Sequence, residues 1–151
     1  MNPPCETSAG FLLDAREFLI AAELVLNRAS GVSLPTYFLF SRSIELSLKA
    51  FLLGCGMTAK ELRSHAFGHN LTALLGEAAK RRLHDLVPLE PVESGVVELL
   101  SQEYLGTHLG YRISGDTYHL PLIEVTEEVA RKLVGGLEEF CGHSNGGVGT
   151  S

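Results

Sequence analysis

The segment from Tyr37 to Leu53 is apolar almost all the way round a helical projection, yet it carries Arg42, Glu45 and Lys49. At 100° per residue these three charges fall within about 60° of one another, while Leu39, Ile44, Leu46, Leu48, Phe51 and Leu53 cover most of the remaining circumference. A helix with so narrow a polar stripe belongs at the centre of a helical assembly, because no broad face of it is suited to water. A charge left unpaired there costs on the order of several kcal/mol, so the three must pair with one another or line a cleft. The chain is therefore expected to build an internal polar site.

The rest of the chain reads as further helices around this one. Phe11, Ala15, Phe18, Leu19, Ala22, Val25 and Leu26 recur at helical spacing, with Asp14, Glu17 and Glu23 off that face. Ser30, Gly31 and Ser33 interrupt the pattern, and Pro35 suits the first turn of the helix that follows. Gly54 and Gly56 supply a permissive backbone for that helix's C-terminus, and Thr58 to Leu62 adds a short helical turn. Asn70 is a favourable N-cap for a third helix with Leu71, Leu74, Leu75 and Ala78 on its inner face. That helix ends in Lys80, Arg81, Arg82 and His84, which could contact phosphate or complement the negative end of the helix dipole. Pro88 and Pro91 bracket a linker, and a fourth helix is expected from near Ser94 through Val96, Val97, Leu99, Leu100 and Tyr104. Between Gly106 and Pro121 the helical period stops, and the Ser114-Gly115-Asp116 turn predicts a small hairpin or ordered loop. Thr126 is expected to cap a last helix carrying Val129, Leu133, Leu137 and Phe140. Short connections between about five helices predict an all-α antiparallel bundle over residues 1–141, followed by a Gly- and Ser-rich tail over 142–151 without fixed structure.

At 151 residues, 45% hydrophobic and 20% charged, the chain can bury one core but not two comfortable ones. Eighteen acidic against 12 basic residues, a net charge of -6, disfavour broad coating of a nucleic-acid backbone and leave room for a local basic site. Cys5, Cys55 and Cys141 have no Cys-x-x-Cys spacing, and no charged-then-apolar leader opens the sequence; both point to the cytoplasm. The two most apolar helices are interrupted by charges, so no membrane span is expected.

Arg42-x-x-Glu45-x-x-x-Lys49, then Ala50-Phe51-Leu52-Leu53-Gly54, then Gly68-His69-Asn70-Leu71 opening the next helix, resembles the HEPN (higher eukaryotes and prokaryotes nucleotide-binding) superfamily. Tyr111-Arg112 sits where many relatives carry an Arg-Tyr-Pro stretch, with the order changed and no proline here. The resemblance implies a helical bundle, often a homodimer, that binds nucleotides, cleaves RNA without a metal, or mediates contacts beside a nucleotidyltransferase in toxin-antitoxin or defence systems. It implies no cofactor. The ribonuclease branch is marked by Arg, four to six residues, then His. Arg63 to His69 and Arg112 to His119 both fit that spacing, although neither lies on a predicted helix and Ile113 replaces the usual polar residue after the second Arg.

Two functional readings follow. In the first, Arg42, Lys49 and Arg112 hold a nucleotide or RNA phosphate, Glu45 orients the cations, and His69 and Tyr111 complete a binding site. In the second, Arg63 or Arg112 stabilises phosphate charge while His69 or His119 moves a proton from a 2′-hydroxyl. Each residue also has a plainer reading: Glu45 and Lys49 as an i, i+4 helix pair joined by Arg42 at i, i+3, and His69 as a packing residue hydrogen-bonded to Glu45. Ser41, Ser43 and Ser47 read as small residues at a helix-helix contact, because no nucleophile elbow accompanies them. His65 and His69 have a metal-like spacing if helical, but Gly68 intervenes and no third ligand is nearby, so no metal is expected. Tyr104, Tyr111 and Tyr118 could stack bases or fill space between helices.

Overall fold

The computed structural model describes residues 7–28, 33–64, 66–105 and 120–146. Among them it contains seven helices and no strand: α1 (Ser8–Arg28), α2 (Leu34–Gly54), α3 (Ala59–Leu62), α4 (Leu71–Lys80), α5 (Pro91–Leu105), α6 (Ile123–Gly136) and α7 (Glu138–Gly146). The bundle is all-α, with α2 at its centre. Phe40, Ile44, Leu48, Ala50 and Leu52 of α2 are wholly buried, and α2 packs against α1, α4, α5, α6 and α7. The expected hairpin or loop between Gly106 and His119 lies outside the described residues, as do Tyr111, Arg112, Tyr118 and residues 147–151. No described helix is long and apolar enough to cross a membrane.

The α1–α2 pair is antiparallel and held at close range by small residues. Ser8 Oγ donates to the Ala50 carbonyl at 2.7 Å and Ser43 Oγ donates to the Ala15 carbonyl at 2.8 Å. Residue 8 thus lies beside 50 and 15 beside 43, so the same number of residues is traversed in opposite senses along the two helices. Ala15 and Ala22 have no exposed surface, so backbone approaches backbone where a larger side chain would hold the helices apart. Ser41 and Ser47 are also buried. The outer side of α1 is not wholly polar: Leu13, Ile20 and Leu24 are exposed.

Helix ends follow local chemistry. At the C-terminus of α2 the Gly56 amide donates to Leu53 O and the Met57 amide to Leu52 O, and Gly56 has a φ of 108°. These two bonds form a Schellman closure, with buried Met57 as its apolar contact. Thr58 and Glu61 then form a full capping box for α3, and the Asn70 side chain accepts from the Ala73 amide to start α4.

Two helix starts differ from the sequence reading. The fourth substantial helix, α5, begins at Pro91, not near Ser94: proline needs no amide acceptor in a first turn, and the Glu93 carboxylate accepts from the Glu90 amide at 2.8 Å. The last segment begins at Ile123, and Thr126 does not cap it; its hydroxyl donates back to the Leu122 carbonyl inside the helix. That segment is also two helices, interrupted at Leu137 after Gly135-Gly136. α7 packs against α1 and α2 and extends to Gly146, into the segment read as a tail.

The basic run at the end of α4 is largely paired locally. Arg81 bonds Glu77 at 2.9 Å and Arg82 bonds Asp85 at 2.8 Å. Arg82 has a left-handed backbone with φ 70°, a conformation costly for a residue bearing a Cβ. Arg82→Gly should therefore stabilise the protein by about 0.5–1 kcal/mol, because the exposed ion pair it removes is worth less than the relieved strain. Urea denaturation measures this, and a loss of stability would show that the Asp85 contact outweighs the backbone term.

Tyr37, near the start of α2, donates its hydroxyl to the Pro121 carbonyl at the entry to α6. Burial pushes its phenol above the ordinary value, with the Glu124 carboxylate adding to the effect. Tyr37→Phe leaves a buried carbonyl unsatisfied and should cost about 1–2 kcal/mol, read as a lowered denaturation midpoint with an unchanged m-value.

Candidate functional site

Glu45 is the hinge of the polar stripe. It projects from the middle of α2 with no exposed surface. Its Oε2 accepts from Arg42 Nη1 at 3.0 Å and from Lys49 Nζ at 2.7 Å, one turn to either side on the same helix. His69 Nδ1 lies 3.1 Å from both Glu45 oxygens. Among the described residues, one carboxylate thus gathers Arg42 and Lys49 from α2 and His69 from the turn before α4.

That turn is built to deliver His69. Gly68 has a φ of 29°, and its amide donates to Ser64 O at 2.8 Å, reversing the chain immediately before the histidine. Just after it, Asn70 caps α4 and Leu71 enters the core with no exposed surface. The Thr72 amide donates to the hydroxyl of buried Ser101 on α5, which ties this turn to a second helix. His69 is therefore fixed on both sides by backbone geometry, while its side chain is 65% exposed beside a carboxylate with no exposure at all.

Burial would raise the Glu45 carboxyl, but the hydrogen bond and charge of Lys49, the charge of Arg42 and the His69 contact outweigh it and hold the group below its ordinary value. Glu45 is accordingly the counterion of Lys49, which is only 8% exposed inside the bundle. Arg42 is further steadied by the Phe18 ring on α1, with the guanidinium carbon 5.8 Å from the ring centre.

A cavity of about 380 Å³ opens beside this group, lined by Phe11, Arg42, Leu46, Lys49, Ala59, Leu62, Arg63, Gly68 and His69. The sequence-predicted residues Arg42, Lys49, Arg63 and His69 meet in its wall, and Glu45 lies beneath them, bonded to three of the four. Arg63 is the residue that ends α3, so the short turn capped by Thr58 and Glu61 is what carries it to the cavity. Tyr111, Arg112 and His119 lie outside the described residues, as does His65. No family model matches this chain, and neither curated proteins nor solved structures give a match. Its site must be read from its own geometry.

The apolar lining from Phe11, Ala59 and Leu62 was not foreseen as part of the site. Nothing local distinguishes Phe11 from the other core-facing residues of the first helix; only the packing of α1 against α2 brings it there. A second buried carboxylate was also missed. Glu93, 5% exposed on α5, bonds Lys132 of α6 at 2.8 Å as well as the Glu90 amide. Burial opposes its charge, but the Lys132 hydrogen bond and the Glu90 amide prevail and lower its carboxyl. Its contacts are those of a helix cap and an interhelical clamp, away from the cavity. Among the described residues, no group of three or more His, Cys, Asp or Glu side chains is placed to hold a metal ion.

Proposed function

We propose that this chain is a HEPN-like binding module, cytoplasmic, whose cavity accepts the phosphate of a nucleotide or of RNA. The observation that carries this reading is the Glu45-centred cluster. Three basic side chains, Arg42, Lys49 and Arg63, meet at one small cavity in a chain whose net charge is -6, with buried Glu45 beside them among the described residues. An anion in the cavity would meet basic side chains from α2 and from the end of α3 together. Arg and Lys supply complementary contacts, the guanidinium a fork and the ammonium a point charge.

Calorimetric titration with nucleotides and short RNAs should give saturable binding that weakens as salt rises. Arg63→Ala, at an exposed position, should lower the affinity by about tenfold, the worth of one charge-assisted hydrogen bond. Absence of saturable binding by the folded protein would remove this reading.

A second reading is supported by one contact. Arg63 and His69 share the cavity wall, and His69 presents Nδ1 to Glu45, an arrangement that orients the ring toward the carboxylate. Metal-independent RNA cleavage by this pair predicts activity in EDTA that is lost in His69→Ala; no cleavage by folded protein rejects it. The homodimer implied by the resemblance is supported by the apolar outer stripe of Leu13, Ile20 and Leu24 on α1. Light scattering tests it, with Ile20→Lys expected to give monomers. A nucleotidyltransferase partner in a toxin-antitoxin or defence setting rests on the resemblance alone and is tested by co-purification with the neighbouring gene product.

A further inference from the structure

A second hollow in the bundle shares no residue with the cavity beside Glu45. It lies between α5 and α6, holds about 330 Å³, and is lined by apolar side chains and one glycine. On α5, Val92, Gly95, Val96 and Leu99 stand at i, i+3, i+4 and i+7, the spacing of one helical face, and Leu122 and Val125 face them from α6. A face of this kind normally turns inward. Here Val92 is 60% exposed and Leu122 70% exposed, so the groove is open to water. Glycine is also a poor residue for a helix interior, yet a Cβ at Gly95 would meet nothing within 4 Å. No contact inside this chain requires it. The missing side chain leaves a notch through which another helix can approach α5 closely.

The rim of the groove is acidic. Glu98 stands beside Leu99 on α5, Glu124 and Glu128 stand on either side of Val125 on α6, and all three are exposed. Among the described residues Glu98 and Glu124 form no ion pair. Lys132, further along α6, is taken up by buried Glu93; that bond first holds its ammonium above the ordinary value, and Glu90 and Glu128 add to the effect. A two-fold contact between copies of this chain would set acidic rim against acidic rim, since such an interface presents the same patch from both sides. Charge complementarity therefore selects a basic partner. From Val92 to Leu99 the stripe rises about 10 Å, two helical turns, which matches anchors at i, i+3 or i+4, and i+7 of a docking helix. Among the described residues there is no strand whose edge could pair with an extended peptide instead.

We propose that the α5–α6 groove docks an amphipathic helix of a partner protein, with bulky apolar anchors seated against Val92, Gly95 and Leu122 and lysine or arginine flanks meeting Glu98, Glu124 and Glu128. This surface does not depend on phosphate binding at the cavity, and either can fail without the other.

Fluorescence anisotropy on the full chain tests this with three labelled peptides of about 15 residues, long enough to form a helix. One carries leucines at i, i+3, i+4 and i+7 with lysines on the opposite face, the second has glutamates for the lysines, and the third scrambles the first so that no face is apolar. The lysine helix should bind saturably and at least about tenfold more tightly than the other two. Leu122→Lys and Gly95→Leu, both at exposed positions, should each weaken it by about tenfold or more. Gly95→Leu should do so without lowering the melting temperature, because leucine favours the helix and its Cβ has open space. Ile20→Lys, on the outer side of α1, should leave peptide binding unchanged. Equal affinity for the lysine and glutamate peptides would overturn the basic partner, and lysine-peptide binding untouched by both groove variants would overturn the groove. Light scattering showing self-association lost in Leu122→Lys but kept in Ile20→Lys would give the groove to a second copy and overturn the proposal. Peptide binding gained only when residues 106–119 are replaced by a Gly-Ser linker would give it to the chain's own segment, with the same consequence. No saturable binding of the lysine helix by folded protein would overturn it outright, whatever nucleotides do at the cavity.

Discussion

Glu45→Gln should destabilise the protein by about 3–5 kcal/mol, a large fraction of the roughly 5–15 kcal/mol that holds a domain together. The loss comes chiefly from what remains. Arg42 and His69 have side chains 31% and 65% exposed and can turn to water, but Lys49 is 8% exposed and would keep a charge without its counterion. Glutamine preserves shape and one acceptor oxygen, so the change isolates the charge from the packing. Combining it with Lys49→Met should recover most of the loss, because removing both members of a buried pair is far less costly than removing one. Thermal melts of the wild type, the two single variants and the double variant measure the coupling. A single-variant loss below about 1 kcal/mol would mean that water reaches Lys49 freely.

The same carboxylate sets a pH dependence. Its folded-state pKa is lowered, so its contribution is complete above the unfolded-chain value of about 4.3 and is lost as pH falls through the folded value. Glu93, lowered by Lys132 and the Glu90 amide, acts in the same direction. Wild-type stability should therefore fall on acidification below about pH 4 more steeply than that of Glu45→Gln. Parallel acid titrations followed by circular dichroism would refute this assignment if the two curves kept a constant separation.

Phe51→Ala is the second large effect, at about 3–5 kcal/mol. Phe51 is 2% exposed on α2, and its ring lies 5.2 Å from that of Phe140 on α7, tilted by 36°. Truncation removes the buried aromatic surface, leaves a cavity at the end of the central helix and frees the α7 ring. Phe51→Leu should recover about half of the loss by refilling most of the volume. Hydrogen exchange would localise the consequence: α7 amides should lose protection before those of α1 and α2, whereas uniform loss would show that α7 does not open separately.

These two positions differ in how far they could be read beforehand. The spacing of Arg42, Glu45 and Lys49 on an otherwise apolar helix marked an internal polar site without coordinates, because charges there must pair or line a cleft. Asn70 as a cap and Gly56 as a helix terminator were equally legible, since capping depends on groups within a few residues. The α6–α7 break was not, although Gly135-Gly136 stood in the sequence. The helical spacing of Leu133, Leu137 and Phe140 continues across it, and periodicity does not register a one-residue interruption. Thr126 misled for a related reason, as its hydroxyl can satisfy a carbonyl within a helix as readily as an amide at its start.

What the sequence determined by itself was the all-α class, the central helix, most helix ends and the need for charges to meet inside the bundle. These follow from 3.6-residue periodicity, short-range capping and the cost of burying charge. What only the tertiary structure decided was which distant groups join that stripe. His69 reaches Glu45 across 24 positions, Arg63 is delivered by a one-turn helix, and Phe11 arrives from α1. No local pattern specifies those meetings, because they depend on how α1, α3 and the turn before α4 pack against α2.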